Sequence, residues 1–242
     1  MEGPPLRKYM IAAVAAIAAI AFASVALAQT IPNQSMKVKV APKKAGTKNK
    51  PKNSSITLDI QNNQSNRTLG KLVITMPKTF HMSAKGLKTC TKAKLAAGGP
   101  AACPAKSIVG SGSADALLGV NGATQVPLHF KVTPVVLGAK SLAFHLHSDQ
   151  PPLDVLSPGK IKGQTLTIKV PSTAQQPATG VWAGLKSIHT TLKARRGNHK
   201  LATTTGCVKH KHKFSTKLVF VNNTVPGTAG TVTVKAHSNC SK

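Results

Sequence analysis

Met36-Lys37-Val38-Lys39-Val40 alternates apolar and basic residues one by one, and Ile56-Thr57-Leu58-Asp59-Ile60 repeats the alternation with Asp59 outward. Side chains along a strand point to opposite faces in turn, so a period of two is what a half-buried strand requires. Outward from these two stretches, an Asn/Gln/Ser-rich turn at 61–66 leads to Leu72-Val73-Ile74-Thr75-Met76, which Pro77 closes. Further strand candidates lie at 108–117, 128–137, 142–147, 166–170, 188–193, 201–205, 213–221 and 231–236, rich in β-branched residues and punctuated by Gly, Pro and Asn. Arg195-Arg196-Gly197-Asn198 reads as a hairpin turn. Only residues 91–97 look helical, too short to stand alone. Many short strands without amphipathic helices predict an all-β, antiparallel β-sandwich of about eleven strands, built as one sandwich or as two packed units. Phe130, Phe144, Phe214, Phe220 and Trp182 are the expected large anchors of an otherwise aliphatic core.

The N-terminus sets the compartment. Arg7 and Lys8 precede an uncharged apolar run at 10–26, and Ala26-Leu27-Ala28 ends it with a small-x-small pattern. Residues 1–28 therefore read as a signal peptide cleaved before Gln29, with an uncleaved membrane anchor as the rival reading. No second long apolar run follows, so no transmembrane segment is expected after leader removal. The remainder divides into an N-terminal strand and Lys-rich loop at 29–53 and a β-sandwich region at 54–242, with a sub-boundary near 172–180. A secreted or envelope location is expected.

The chain carries 33 Lys and Arg against five Asp and Glu, a formal charge of +28. Removing residues 1–28 takes Arg7, Lys8 and Glu2, which leaves 31 bases, four acids and +27. The four acids are Asp59, Asp115, Asp149 and Asp154. Lysine is a flexible, hydrated point charge, whereas arginine grips phosphate through a fixed fork. The lysine excess thus predicts diffuse, salt-sensitive affinity for anionic envelope or extracellular polymers, with solubility alone as the alternative. Lys43, Lys44, Lys48, Lys50 and Lys52, in a stretch broken by Pro42, Gly46 and Pro51, form the expected contact loop. Self-repulsion predicts a monomer. One Trp and no Tyr after the leader argue against a sugar-binding module and a specific nucleic-acid ligand.

Four cysteines in an exported chain imply disulfides, with three possible connectivities. Cys90 and Cys103 flank a Gly/Ala/Pro-rich loop, and Cys207 and Cys240 bound the last hairpin-like unit; sequential pairing closes the shortest loops. Pro51-Lys52-Asn53-Ser54-Ser55, Phe80, Cys103-Pro104-Ala105-Lys106-Ser107-Ile108-Val109-Gly110-Ser111-Gly112, Arg195-Arg196-Gly197 and Thr203-Thr204-Thr205-Gly206-Cys207 occur in this order. Over about residues 51–242 the chain resembles a group of uncharacterised exported β-rich, disulfide-bonded proteins of actinobacteria. The resemblance implies an all-β fold with the cysteines paired within each half, and no activity. Where many of that group carry an aromatic residue after the third cysteine, this chain has Val208-Lys209-His210-Lys211-His212.

Catalytic patterns are mostly missing. There is no Gly-x-Ser-x-Gly elbow, and Ser157-Pro158-Gly159-Lys160 matches Ser-x-x-Lys only in letters, because its Pro-Gly centre forbids the helix. Gly110-Ser111-Gly112-Ser113 lacks the third glycine of a dinucleotide loop and reads as a close approach of two backbones. Asp149 and Asp154 read as surface aspartates of a Pro-rich turn. His145-Leu146-His147 and His210-Lys211-His212 are weak metal candidates, since residues two apart on a strand share a face, but a third ligand is missing from both. No cofactor is expected. The sequence favours a non-catalytic polyanion-binding protein. Its alternative is an extracytoplasmic metal-dependent hydrolase using His210, His212 and an aspartate.

Overall fold

The computed structural model describes residues 34–63, 67–119, 126–193, 195–196, 199–221 and 230–242. The leader at 1–28 and the turn residues Gly197 and Asn198 lie outside this set. Residues 34–242 form one compact unit.

The strands are β1 (Gln34–Ala41), β2 (Lys52–Asn53), β3 (Ser55–Asn62), β4 (Thr68–Thr75), β5 (Phe80–Met82), β6 (Gly110–Gly119), β7 (Val126–Gly138) and β8 (Ser141–Asp149). They continue with β9 (Pro152–Lys162), β10 (Thr165–Lys169), β11 (Trp182–Leu192), β12 (Arg195–Arg196), β13 (His199–Lys200), β14 (Ala202–Thr204), β15 (Lys211–Val221) and β16 (Gly230–Asn239). Eleven of them make a single antiparallel sheet in the order β1-β3-β11-β6-β7-β8-β9-β10-β4-β15-β16. The sheet curls until its edge strands lie side by side, where the Val40 amide donates to Ser238 Oγ at 2.9 Å. The result is a nearly closed, barrel-like shell in which residues 172–180 link β10 to β11 within the same sheet.

The all-β, antiparallel architecture is as the alternation requires: Met36, Val38 and Val40 are buried while Lys37 and Lys39 are exposed. The membership of the sheet differs from expectation in one exchange. The candidate at 201–205 becomes β14, Ala202–Thr204, of a separate three-stranded sheet with β2 and β5. Its place is taken by β9, which Pro152, Pro158 and Gly159 hide from a pattern search. Gly110 and Gly112 do mark a close approach. A Cβ at Gly112 would clash with the His189 carbonyl oxygen of neighbouring β11.

Inward side chains fill the shell. The void left among Leu58, Ile60, Leu72, Ile74, Phe144 and Leu166 is about 80 Å³, far below the roughly 300 Å³ at which ligand pockets begin. Among the described residues the interior is filled as core, with small voids of about 80 and 90 Å³. Phe130, Phe144, Phe214 and Phe220 are buried as expected, but Trp182 is only half-buried. Phe80, on β5, is the missing anchor; it is fully buried and meets Phe214 edge-on at 5.8 Å.

Both disulfides form sequentially, Cys90–Cys103 and Cys207–Cys240. The first clamps a short helix, Lys92–Gly98, whose N-cap is Thr91 and whose Leu95 is wholly buried. Leu95 packs with the disulfide on Val135 of β7 and Ala143 of β8. A seven-residue helix that cannot persist alone is thus fixed by tertiary contacts. No helix among the described residues is long and apolar enough to cross a membrane.

Candidate functional site

The outer face of β8 and β9 carries the most concentrated chemistry. His145 and His147 lie two apart on β8 and share a face, with rings stacked at 6.3 Å. The ladder places Asp154 of β9 directly opposite His147. Asp154 Oδ1 is 3.0 Å from His145 Nε2 and 2.9 Å from His147 Nδ1, while Asp149 Oδ1 is 3.0 Å from His147 Nε2. Across the other edge of β8, Lys131 and Thr133 of β7 face His147 and His145. The end of the helix and the residues that follow it, 96–101, complete a pocket of about 430 Å³. Gly99, at φ +60°, carries this wall past His145 in a backbone conformation that a side chain would strain.

The two histidines are shifted in opposite directions. Asp154 and Asp149 accept hydrogen bonds from the two ring nitrogens of His147, which favours its protonated form and raises its pKa. Burial lowers that of His145, against the pull of Asp154. Asp149 and Asp154 are surface aspartates as expected, Asp149 at the β8–β9 turn, but Asp154 lies on strand β9 and not in a loop, and both bond the histidines. Among the described residues, no three His, Cys, Asp or Glu side chains already surround one ion position.

His210 and His212 do not form a pair. Residues 208–211 make a tight reversal in which the Lys211 amide donates to the Val208 carbonyl at 3.0 Å. His210 is left exposed in that turn while His212 faces inward on β15. The alternation rule failed here because His210 precedes the strand. His212 is fully buried against the edge of Phe80, neither ring nitrogen has a hydrogen-bond partner, and burial lowers its pKa.

The remaining carboxylates are also engaged. Asp115 of β6 sits between His129 Nδ1 at 2.6 Å and the Ser187 hydroxyl at 2.5 Å, in register across β11, β6 and β7. Burial pushes its pKa up, but these hydrogen bonds more than offset that and leave it lowered. The aspartate stands between serine and histidine, so the histidine cannot act as base to that hydroxyl. Asp59 accepts from Gln61 Nε2 at 2.8 Å. No described lysine lies within 4.0 Å of a carboxylate.

Lys43, Lys44, Lys48 and Lys50 are exposed, but their loop is not free. Ala45 is buried against the Cys207–Cys240 disulfide, and its amide donates to the Ser241 carbonyl. Lys52 is half-buried and pairs with Thr204 in the small sheet. Sequence reading missed this anchoring because the contacts come from the C-terminus. No protein-family model matches the chain, and no curated protein or solved structure matches it either.

Proposed function

We propose that this is an exported, non-catalytic β protein that binds acidic envelope or extracellular polymers through unpaired lysines. The observation that carries the reading is the partition of charge. Each of the four described aspartates bonds histidine, serine or glutamine and none lies within ion-pair distance of a lysine, although Asp115 feels Lys186 electrostatically; after leader removal 31 bases stand against four acids, a net charge of +27. Such a surface attracts polyanions and releases their counterions on contact. The leader and the two disulfides are compatible with an oxidising compartment outside the cytoplasm. N-terminal sequencing of the exported protein should begin at Gln29.

The test is retention on heparin or isolated anionic wall polymer across a salt series. Retention should fall steeply between low and physiological salt. Replacing Lys43, Lys44, Lys48 and Lys50 by serine should weaken it while leaving the melting temperature nearly unchanged. Protein that ignores every polyanion at low salt would overturn the reading.

A second reading, metal-assisted hydrolysis, is favoured by the His145–His147–Asp154 pocket and moves away from His210 and His212. His145 Nε2, His147 Nδ1 and Asp154 Oδ1 would hold the ion, with Asp149 orienting His147 through its other nitrogen, as carboxylates behind metal-bound histidines do. Because Asp154 now bonds both imidazoles, binding would require its exposed carboxylate to shift. Calorimetric titration with Zn²⁺ decides: no uptake by native protein removes this reading, whereas uptake abolished by Asp154→Ala supports it.

A further inference from the structure

The opposite end of the lysine question lies at the second disulfide. Lys209 and His210, with φ of +50° and +58°, are the two non-glycine residues with positive φ among the described residues, and they are consecutive. Left-handed backbone is costly for residues bearing a Cβ, and a two-residue turn of this kind ordinarily takes Asn-Gly. The chain keeps Lys-His there and holds it by force. Cys207 is tied to Cys240, the Cys240 amide donates to the His210 carbonyl at 2.9 Å, and Lys211 opens β15 opposite Asn239.

That turn forms one wall of an open cleft of about 360 Å³, and Pro77, Lys78 and Thr79 form the other. The Thr205 amide fixes the two walls together by donating to the Thr79 carbonyl at 2.8 Å. Lys78, Lys209, Lys211 and Lys213 line the cleft, all four exposed and none with a carboxylate partner. Four like-charged side chains lining one cleft repel one another, and backbone strain at the same place adds to the cost. Strain that the surroundings enforce is a pointer to function.

We propose that this cleft is the high-affinity subsite of the polyanion surface, seating closely spaced phosphate or sulfate ester groups of a polymer chain. It rests on the proposed function and deepens it by naming the place and the chemistry. Four lysines lining one cleft are best met by several closely spaced negative charges, which ester-bearing polymers supply more densely than polymers with one carboxylate per sugar. Lysine also accepts any orientation of the oxyanion, as a point charge without a fixed fork.

The experiment compares native protein with two variants, using long-chain polyphosphate, heparin and polygalacturonate as probes over a salt series. Lys209→Asn with His210→Gly installs the residues that the turn geometry prefers, so its melting temperature should rise while affinity falls several-fold. Lys211→Ser with Lys213→Ser alters exposed positions of β15 and should lower the salt slope by about two, one for each lysine lost. Polyphosphate and heparin should bind native protein more tightly than polygalacturonate. Should native protein bind while both variants match it in affinity and slope, the cleft is not the subsite and the diffuse reading survives. A preference for polygalacturonate would overturn the assigned chemistry. Native protein that binds none of the three at low salt would end both proposals.

Discussion

The two disulfide-clamped regions solve opposite electrostatic problems. At Cys90–Cys103 the clamp presses a short helix onto β7 and β8 and walls a pocket whose charges are internally matched, His147 lying between two carboxylates. At Cys207–Cys240 the clamp gathers the C-terminus, the Lys43–Lys50 stretch and the strained turn, and four lysines converge there without a counter-charge. In a chain with five acidic residues the matched pocket consumes two of them. Local charge balance in one region is thus obtained by leaving another unbalanced. The unbalanced one is where an external anion gains most.

Removing the clamps should give the largest effects. By the loop-closure estimate, opening Cys207–Cys240, with a separation of 33, should cost about 4 kcal/mol, and opening Cys90–Cys103, with a separation of 13, about 3 kcal/mol. Denaturant unfolding of the paired Cys→Ala variants measures both. The comparison sharpens if polyanion retention is also followed. Loss of Cys207–Cys240 should weaken it by freeing the turn, and loss of Cys90–Cys103 should leave it unchanged. Equal effects on retention would show that the two regions are not functionally distinct.

Much of this was legible from local pattern, and what was not shares a cause. Alternation at 36–40 and 56–60 reports the burial of single strands, and the helix-like stretch at 91–97 reports the short helix, because these are local effects. Strand β9 was hidden because its neighbours on both sides, not its propensity, hold Pro158 and Gly159 in an extended conformation. With β9 went Asp154, the third group that the alternation at His145 and His147 lacked. The failure at His210 was different. A single non-strand residue broke the two-residue period, and a turn with positive φ at Lys and His has no sequence signal.

The next effect in size concerns His212. Its folded-state pKa lies below the ordinary value of 6.5 because it is buried without partners. The unfolded chain therefore binds a proton near pH 6 that the folded chain refuses, so stability falls as pH drops through and below about 6.5. His212→Leu removes both the acid penalty and a buried unsatisfied group, which should add about 1 kcal/mol at neutral pH. Thermal unfolding at pH 7.5 and pH 5 should show a smaller acid loss in the variant. Some loss should persist, because burial lowers His145 in the same sense. An unchanged pH dependence would mean that His212 has a partner in solution.

The smallest effects belong to the matched pocket, and they test it most directly. The raised pKa of His147 means that the folded chain holds its proton above pH 6.5, a contribution present in acid and lost as pH rises through the folded pKa. Exposure of His147 and Asp154 screens the pair, so the stability change on mutation should be slight. The titration itself is the sensitive readout. Asp154→Asn should lower the pKa of His147 by removing one of its two carboxylates, and lower His145 further by removing the attraction that opposes burial. Asp149→Asn should lower His147 and leave His145 near its native value, since Asp149 bonds only His147. Following both imidazoles by NMR across pH 4–9 separates the two variants. If Asp154→Asn moves neither ring, the shared carboxylate does not bridge them, and the contrast between a matched and an unmatched region loses its first half.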